Sequence, residues 1–277
     1  MMTTQLRLIS ILLIYNAVSI ASESATKVTQ FNDIEWGYLN PLRGDQSPGA
    51  ADLWGDRTAE GATGMLVRFN QGFKSPPHIH NISYRGIVIE GQLHNDDASA
   101  ESMWLPPGSF WTQPAGQAHI TAANGHSNLA YVEIDSGPYL VKPTDESFDN
   151  GEKPVNIDQS NLVWLNAADL HWLKFDATKP HQTVPEISFL WGSAEHNQLN
   201  GLMLKLPPKF KGEIKSQSEE LRSVVIAGTL TYADTKVLKP GSYFESSNQV
   251  SHTVSTDDNS AILYIRTAGR FELKVNE

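Results

Sequence analysis

Beyond residue 50 the hydrophobic positions fall in short runs, rich in β-branched and aromatic residues and separated by Gly, Pro and polar clusters. The clearest are "GMLVRFN" from Gly64, "RGIVIEGQLHN" from Arg85, "NLAYVEID" from Asn128, "LRSVVIAGTLTY" from Leu221 and "SAILYIRTAG" from Ser260. Runs of this kind predict the strands and turns of an all-β sandwich or barrel. No window sustains an apolar period of 3.6 residues, so helices should be few and short.

The runs repeat. "LWGD" at Leu53 returns as "LWGS" at Leu190, "GMLVRFNQGFK" at Gly64 as "GLMLKLPPKFK" at Gly201, and "YRGIVIEGQL" at Tyr84 as "LRSVVIAGTL" at Leu221, each 137 residues later. "PGSFWTQPAGQAHIT" at Pro107 returns as "PGSYFESSNQVSHTV" at Pro240, and Tyr131 as Tyr264, both at 133. Collinear matches of this number indicate an internal duplication. The polar run "PTDESFDNGEKPVNIDQS" from Pro143 reads as the linker between the copies. The expected division is a leader over residues 1–21, a first copy over 22–142, a linker over 143–160 and a second copy over 161–277.

Composition narrows the picture. The chain of 277 residues has a formal net charge of −10, which makes nucleic acid and anionic lipid poor partners. It has no cysteine, which removes disulfides, thiolate metal sites and cysteine nucleophiles together. The opening "MMTTQLRLISILLIYNAVSIA" has a basic n-region at Arg7, an apolar stretch from Leu8 to Ile20 and a small-x-small site at Ser19-Ile20-Ala21. It predicts a secretory signal cleaved after Ala21, a periplasmic or secreted protein, and no membrane attachment afterwards.

The first copy carries two spaced motifs. Gly72, His78, His80 and Gly91 form one, and Gly108, Pro114, Gly116 and His119 form the other. In these positions the chain resembles the cupin superfamily. The resemblance covers about residues 50 to 140 and 187 to 270, and implies two tandem cupin domains of jelly-roll β-barrel type. More finely, "HIHNISYRGIVIEG" resembles bicupins of unassigned function and the cupins grouped with acetylacetone-cleaving enzymes. The departure is Tyr84, where most metal-binding cupins have Glu. The resemblance therefore implies a three-histidine site of His78, His80 and His119, holding one divalent metal such as Fe, Zn, Mn or Ni.

The residues support that chemistry. Positions i and i+2 of a strand face the same way, so His78 and His80 present two imidazoles to one side. Three neutral imidazoles suit Zn, Fe, Ni or Cu and leave positions open for water or substrate. Without a carboxylate the loaded site would keep about +2, which favours an anionic small-molecule ligand such as an enolate, a 2-oxo acid or a catecholate. Tyr84 has three readings: a hydrogen-bond donor to bound oxygen, a phenolate ligand, or a packing residue. Gln113, before the Pro114 turn, is a candidate to reach the site. Glu133, a charge on an apolar strand, is a candidate general base or fourth ligand, but reads more readily as a satisfied edge or surface carboxylate. Arg85 alternates away from Tyr84 and reads as a salt-bridge residue. Trp104 and Trp111 read as core or pocket wall, and His94, His126, His171, His181 and His196 as surface or packing residues.

In the second copy the linear alignment sets Lys215 and Gln217 against His78 and His80, and Leu221 against Tyr84; only His252 survives, opposite His119. That copy should be structural or a metal-free pocket. The sequence thus points to a metal-dependent enzyme acting on a small anionic molecule by dioxygenase-like oxidative cleavage or by hydrolysis. The alternative is a non-catalytic ligand-binding or sensing protein, and a homodimer is open to either.

Overall fold

The computed structural model describes residues 26–177, 184–218 and 220–276. The expected signal segment and His181 lie outside them. Among the described residues the helical segments are short 3-10 turns, two of them adjoining across a non-helical Gly44 in Pro41–Gln46, and no helix is long and apolar enough to cross a membrane.

Two seven-stranded sheets form the centre. The first runs, in hydrogen-bonded order, Val155–Ile157, Phe110–Gln113, Tyr84–Glu90, Asn128–Ile134, Thr63–Phe69, Gly49–Trp54 and Gly37–Tyr38. The second runs Thr26–Thr29, Tyr243–Ser247, Glu220–Ala227, Ala261–Ala268, Leu199–Leu206, Glu186–Gly192 and Leu165–Asn166. A six-stranded sheet closes the second barrel. Two short ladders close the first: Ile79–His80 with Val141–Lys142, and Leu93–Asp96 with Ile120–Ala123. The molecule is all-β, with two jelly-roll barrels in tandem.

Alternation along each strand assigns side chains to one of three cores. On Asn128–Ile134, Ala130, Val132 and Ile134 fill the first barrel, while Leu129 and Tyr131 face the other copy. Leu202, Leu204 and Leu206 fill the second barrel, and Met203 between them turns to the interface. Each such buried side chain contributes ~1.5–3 kcal/mol, so three cores hold together a molecule that has no cysteine for disulfides.

The duplication is visible atom by atom. Trp54 Nε1–H donates to Tyr131 Oη at 3.2 Å, and Trp191 Nε1–H donates to Tyr264 Oη at 3.0 Å. Gly64 and Gly201 lie beneath these pairs; a Cβ on either would sit 2.1 or 2.0 Å from the indole nitrogen. The repeated Leu-Trp-Gly, Gly and Tyr positions are therefore one packing device used twice.

The sheets do not follow the boundaries drawn from the sequence. Thr26–Thr29, at the start of the first copy, pairs with Tyr243–Ser247 of the second. Val155–Ile157, inside the expected linker, pairs with Phe110–Gln113 of the first. Lys27 faces Glu245 and Val155 faces Thr112, which are equivalent positions in the two copies. Each copy thus lends its first strand to the other. A polar, turn-rich run gives no sign of this, because an edge strand needs only backbone hydrogen bonds on one side.

The interface also holds buried charge. Arg85 stacks on Trp191, its guanidinium carbon 3.7 Å from the ring centroid, and Arg222 stacks reciprocally on Trp54 at 3.9 Å. Between them Glu133 accepts from Tyr131 Oη at 3.0 Å, Tyr264 Oη at 2.8 Å and Arg85 at 3.0 Å, with Arg266 at 3.4 Å. Arg85 and Arg266 both also bind Asp135. Arg85 is a salt-bridge residue, as its alternation predicts.

Candidate metal centre

The three histidines come together on one wall of the first barrel. His78 and His119 exchange both backbone N–H···O bonds at 3.0 Å, which sets their side chains on the same face. Ile79 between the first two histidines turns away and is fully buried. The Pro-x-Gly turn then closes the site: Gly116 N–H donates to the His80 carbonyl at 2.8 Å. Gly116 has φ +75°, and a Cβ there would meet the Phe148 carbonyl oxygen at 2.4 Å, so this turn requires glycine.

Ring centroids of the three imidazoles are 4.3 to 5.3 Å apart, and one ligating atom from each lies within 4.8 Å of the others. The Nδ1 atoms are already committed. His78 Nδ1 faces the Pro76 carbonyl at 2.9 Å, His80 Nδ1 the Leu140 carbonyl at 3.1 Å, and His119 Nδ1 the Gln117 carbonyl at 3.1 Å. A carbonyl only accepts, so each Nδ1 carries the proton and each Nε2 presents a lone pair. Burial holds the His78 and His80 imidazoles below the ordinary range, His80 well below it. Burial, and then the neighbouring His78, bring His119 down to about 3. Neutral imidazoles with fixed tautomers are what a divalent ion requires, and the donor set fits one.

Two phenols stand where a carboxylate ligand is missing. Tyr84 Oη donates to Asn95 Oδ1 at 2.8 Å and lies 3.3 Å from His119 Nε2. Tyr139 stacks on His80 with centroids 4.3 Å apart, and its Oη is 3.2 Å from His80 Nε2. Burial pushes both phenols above their ordinary values, so both are neutral hydroxyls. In this arrangement the Tyr84 hydroxyl is a hydrogen-bond donor to Asn95.

Gln113 is buried but touches none of the histidines. Its Oε1 accepts from Asn95 Nδ2 at 2.9 Å, and its Nε2 donates to the Gln117 carbonyl at 3.2 Å, the same oxygen that anchors His119. It supports the site through Asn95 and Gln117. Glu133 is not brought to the site. It lies on the opposite face of its strand, in the interface cluster described above, because odd-numbered residues there face the other copy. Trp111 is pocket wall and His94 is buried packing.

Sequence reasoning missed Asn95 and Tyr139. Asn95 was legible in principle, since it alternates inward with Leu93. Tyr139 comes from the segment after the barrel's last long strand, and no spacing rule marks it.

A cavity of about 140 Å³ opens onto His78 and His80. Its walls are mainly apolar, with Val67, Phe69, Phe73, Trp111 and Val132 among them. Gly86 makes room for Trp111; a Cβ there would sit 2.1 Å from the indole. Two wider grooves around Glu152 and Lys153 contain none of the three histidines.

The second barrel is built differently at the same place. Ile214 faces His252 across the ladder, as His78 faces His119, so the true counterparts of His78 and His80 are Ile214 and Ser216 rather than Lys215 and Gln217. The linear alignment is one residue out of register there, and both true counterparts are buried. His252 is held by Tyr232 Oη at 2.9 Å and Ser246 Oγ at 2.8 Å. Tyr232 and Ser246 occupy the positions of Asn95 and Gln113, and one imidazole among hydroxyls gives no converging donor set.

No curated protein matches the chain. Among solved structures it resembles a protein of Nostoc punctiforme described as a "putative dioxygenase", with a TM-score of 0.64 and 16% identity over 89% of this chain and 85% of that one. It also resembles AerE from Microcystis aeruginosa, with a TM-score of 0.54 and 13% identity over 90% of this chain and 99% of that one. A deletion mutant of Bacillus subtilis oxalate decarboxylase gives a TM-score of 0.51 and 11% identity, over 94% and 80%. These likenesses are of fold, and the fold is the cupin fold. Residues 27–274 match the family described as "Domain of unknown function (DUF4437)", and the chain therefore belongs to that family.

Proposed function

We propose that the first barrel binds one divalent metal through His78, His80 and His119 and acts as a metal-dependent enzyme on a small organic anion. The protein is read as exported, with mature residues beginning at Ser22. The observation that carries the metal reading is the set of three clustered imidazoles whose Nδ1 atoms are protonated, which leaves Nε2 as the ligating nitrogen of each, with His78 and His80 lining a mainly apolar cavity. A bound ion would supply Lewis acidity and open positions for oxygen donors. The chain's own residues fix the imidazoles and place two phenol hydroxyls, Tyr84 and Tyr139, near the Nε2 atoms of His119 and His80. Oxidative cleavage is the favoured reaction class and hydrolysis the sister possibility. The fold relatives named for dioxygenase and oxalate decarboxylase chemistry support an enzymatic reading.

A second reading, ligand binding without turnover, is favoured by one observation: no carboxylate lines the cavity, so it offers no general base beyond the imidazoles. The tests are direct. Natively purified protein should hold about one metal per chain, and His78→Ala, His80→Ala and His119→Ala should each lose most of it. Substrate-dependent oxygen uptake would mark a dioxygenase, and metal retention in all three variants would reject the site. N-terminal sequencing of the exported protein should start at Ser22.

A further inference from the structure

The cavity's charge is opposite to that of the chain. The protein has 31 Asp and Glu against 21 Lys and Arg, yet no carboxylate lines the cavity, and Arg43 is the one permanently charged side chain that does. Arg43 sits in the 3-10 segment Pro41–Gln46, lines the cavity, and is exposed beside the fully exposed Leu42. Every other Arg among the described residues except Arg270 is engaged by a carboxylate or an aromatic ring; the Arg43 side chain has no ion-pair partner there. An unpaired guanidinium over an apolar, acid-free cavity is placed for recognition rather than for stability.

Size limits what it can recognise. A dry, apolar cavity of roughly 150 Å³ accommodates one benzene-sized body, and the present one is about 140 Å³. Phe69, Phe73, Trp111 and Val132 offer surface for a ring or a short branched chain. One end of such a body would meet the Nε2 atoms, and the other would reach the opening.

We infer that Arg43 is the specificity-determining residue of this cavity, selecting a ring-sized organic carboxylate whose oxygen donors sit at the histidines and whose carboxylate lies on the Arg43 guanidinium. The inference rests on the metal reading for the inner end of the ligand only; the outer contact is Arg43's own. Planar guanidinium and carboxylate match as a bidentate pair, and a ligand charge there satisfies donors that nothing else in the structure engages.

The test uses two probes that differ only at the outer end, 3,4-dihydroxybenzoate and 3,4-dihydroxybenzamide. Affinities are measured by calorimetry on the full mature chain, both loaded with Zn²⁺ and after chelator treatment, beside metal content. The wild type should prefer the carboxylate by about tenfold or more, as charge-assisted hydrogen bonds do. Arg43→Ala should abolish that preference and Arg43→Glu invert it, both with unchanged metal content, and Arg43→Lys should keep part of it. An unchanged preference in Arg43→Ala overturns the inference, as does failure of the wild type to bind the carboxylate at millimolar concentration. Metal retention in the histidine variants would instead overturn the metal reading, and the carboxylate preference of the chelator-treated protein would still report on Arg43.

Discussion

At the scale of the residue, the environment of each polar group decides its role more than its identity does. Tyr84 occupies a ligand position, but burial raises its phenol above the ordinary value and its hydroxyl donates a hydrogen bond to Asn95 Oδ1. Tyr84→Phe should therefore retain metal. If the hydroxyl stabilises a reacting oxygen, it should cost ~10²-fold in rate, read as kcat with metal content alongside. Tyr84→Glu should tighten metal and weaken anionic ligands, because it returns a carboxylate to the centre. His252 gives a separate test. Burial holds it down to about 4, below the ordinary imidazole value of 6.5. Between those values the unfolded chain takes up a proton that the folded chain does not. Stability from this residue is thus complete above about pH 6.5 and falls as pH drops toward 4, by at most ~3 kcal/mol. Denaturant titrations across that window should give a shallower acid slope for His252→Gln than for the wild type.

At the scale of the element, the strands and their facing were legible and the exchange of edges was not. "NLAYVEID" was legible as a strand, and the structure sets Ala130 and Val132 in the first barrel and Leu129 and Tyr131 in the interface. The two motifs bring His78, His80 and His119 together because a strand pair and a Pro-x-Gly turn are local devices with fixed spacing. Arg43 and Tyr139 were not legible, since they reach the cavity through turns whose course depends on the whole fold. The same holds for Thr26–Thr29, a short polar strand whose partner lies more than two hundred residues away. Its role predicts where damage falls. Val28 packs on the second barrel's core, and Phe31 and Ile34 on the interface core, with Phe31 N–H donating to Ser242 Oγ at 3.0 Å. Removing residues 26–34 should cost ~3 kcal/mol or more from lost burial. Hydrogen exchange should accelerate in Tyr243–Ser247, far along the chain, while the metal stays bound in the first barrel.

At the scale of the whole molecule, one barrel keeps the converging donors and the other keeps the shape. The buried cluster at their junction is structural. Removing its hub with Glu133→Ala would leave Arg266, 3% exposed, and Arg85 without their buried shared acceptor, with only the half-exposed Asp135 to pair with. Breaking such a buried pair costs ~3–5 kcal/mol. The variant should show that loss in chemical denaturation yet keep its metal, the opposite of what a fourth ligand would do. The duplication was legible because packing devices such as Trp54–Gly64–Tyr131 recur in the same order, 137 residues on for Trp and Gly and 133 for Tyr. The one-residue misregister at Lys215 arose because eroded ligand positions carry no signal to align.

Glu133 and Arg266 are equivalent positions in the two copies, and that equivalence carries a consequence. Two identical first barrels docked through these faces would set carboxylate against carboxylate, and two identical second barrels guanidinium against guanidinium. Only an unlike pair is electrically neutral there, and only an unlike pair exchanges edges with matched partners on both sides. Expressed as two separate polypeptides cut in the exposed run near Gly151, the halves should seek each other rather than themselves. Mixed in equal amounts they should elute as a one-to-one heterodimer, with neither half forming a stable pair alone. The molecule would then serve as a split reporter whose reassembly restores the histidine centre's support from its missing strand.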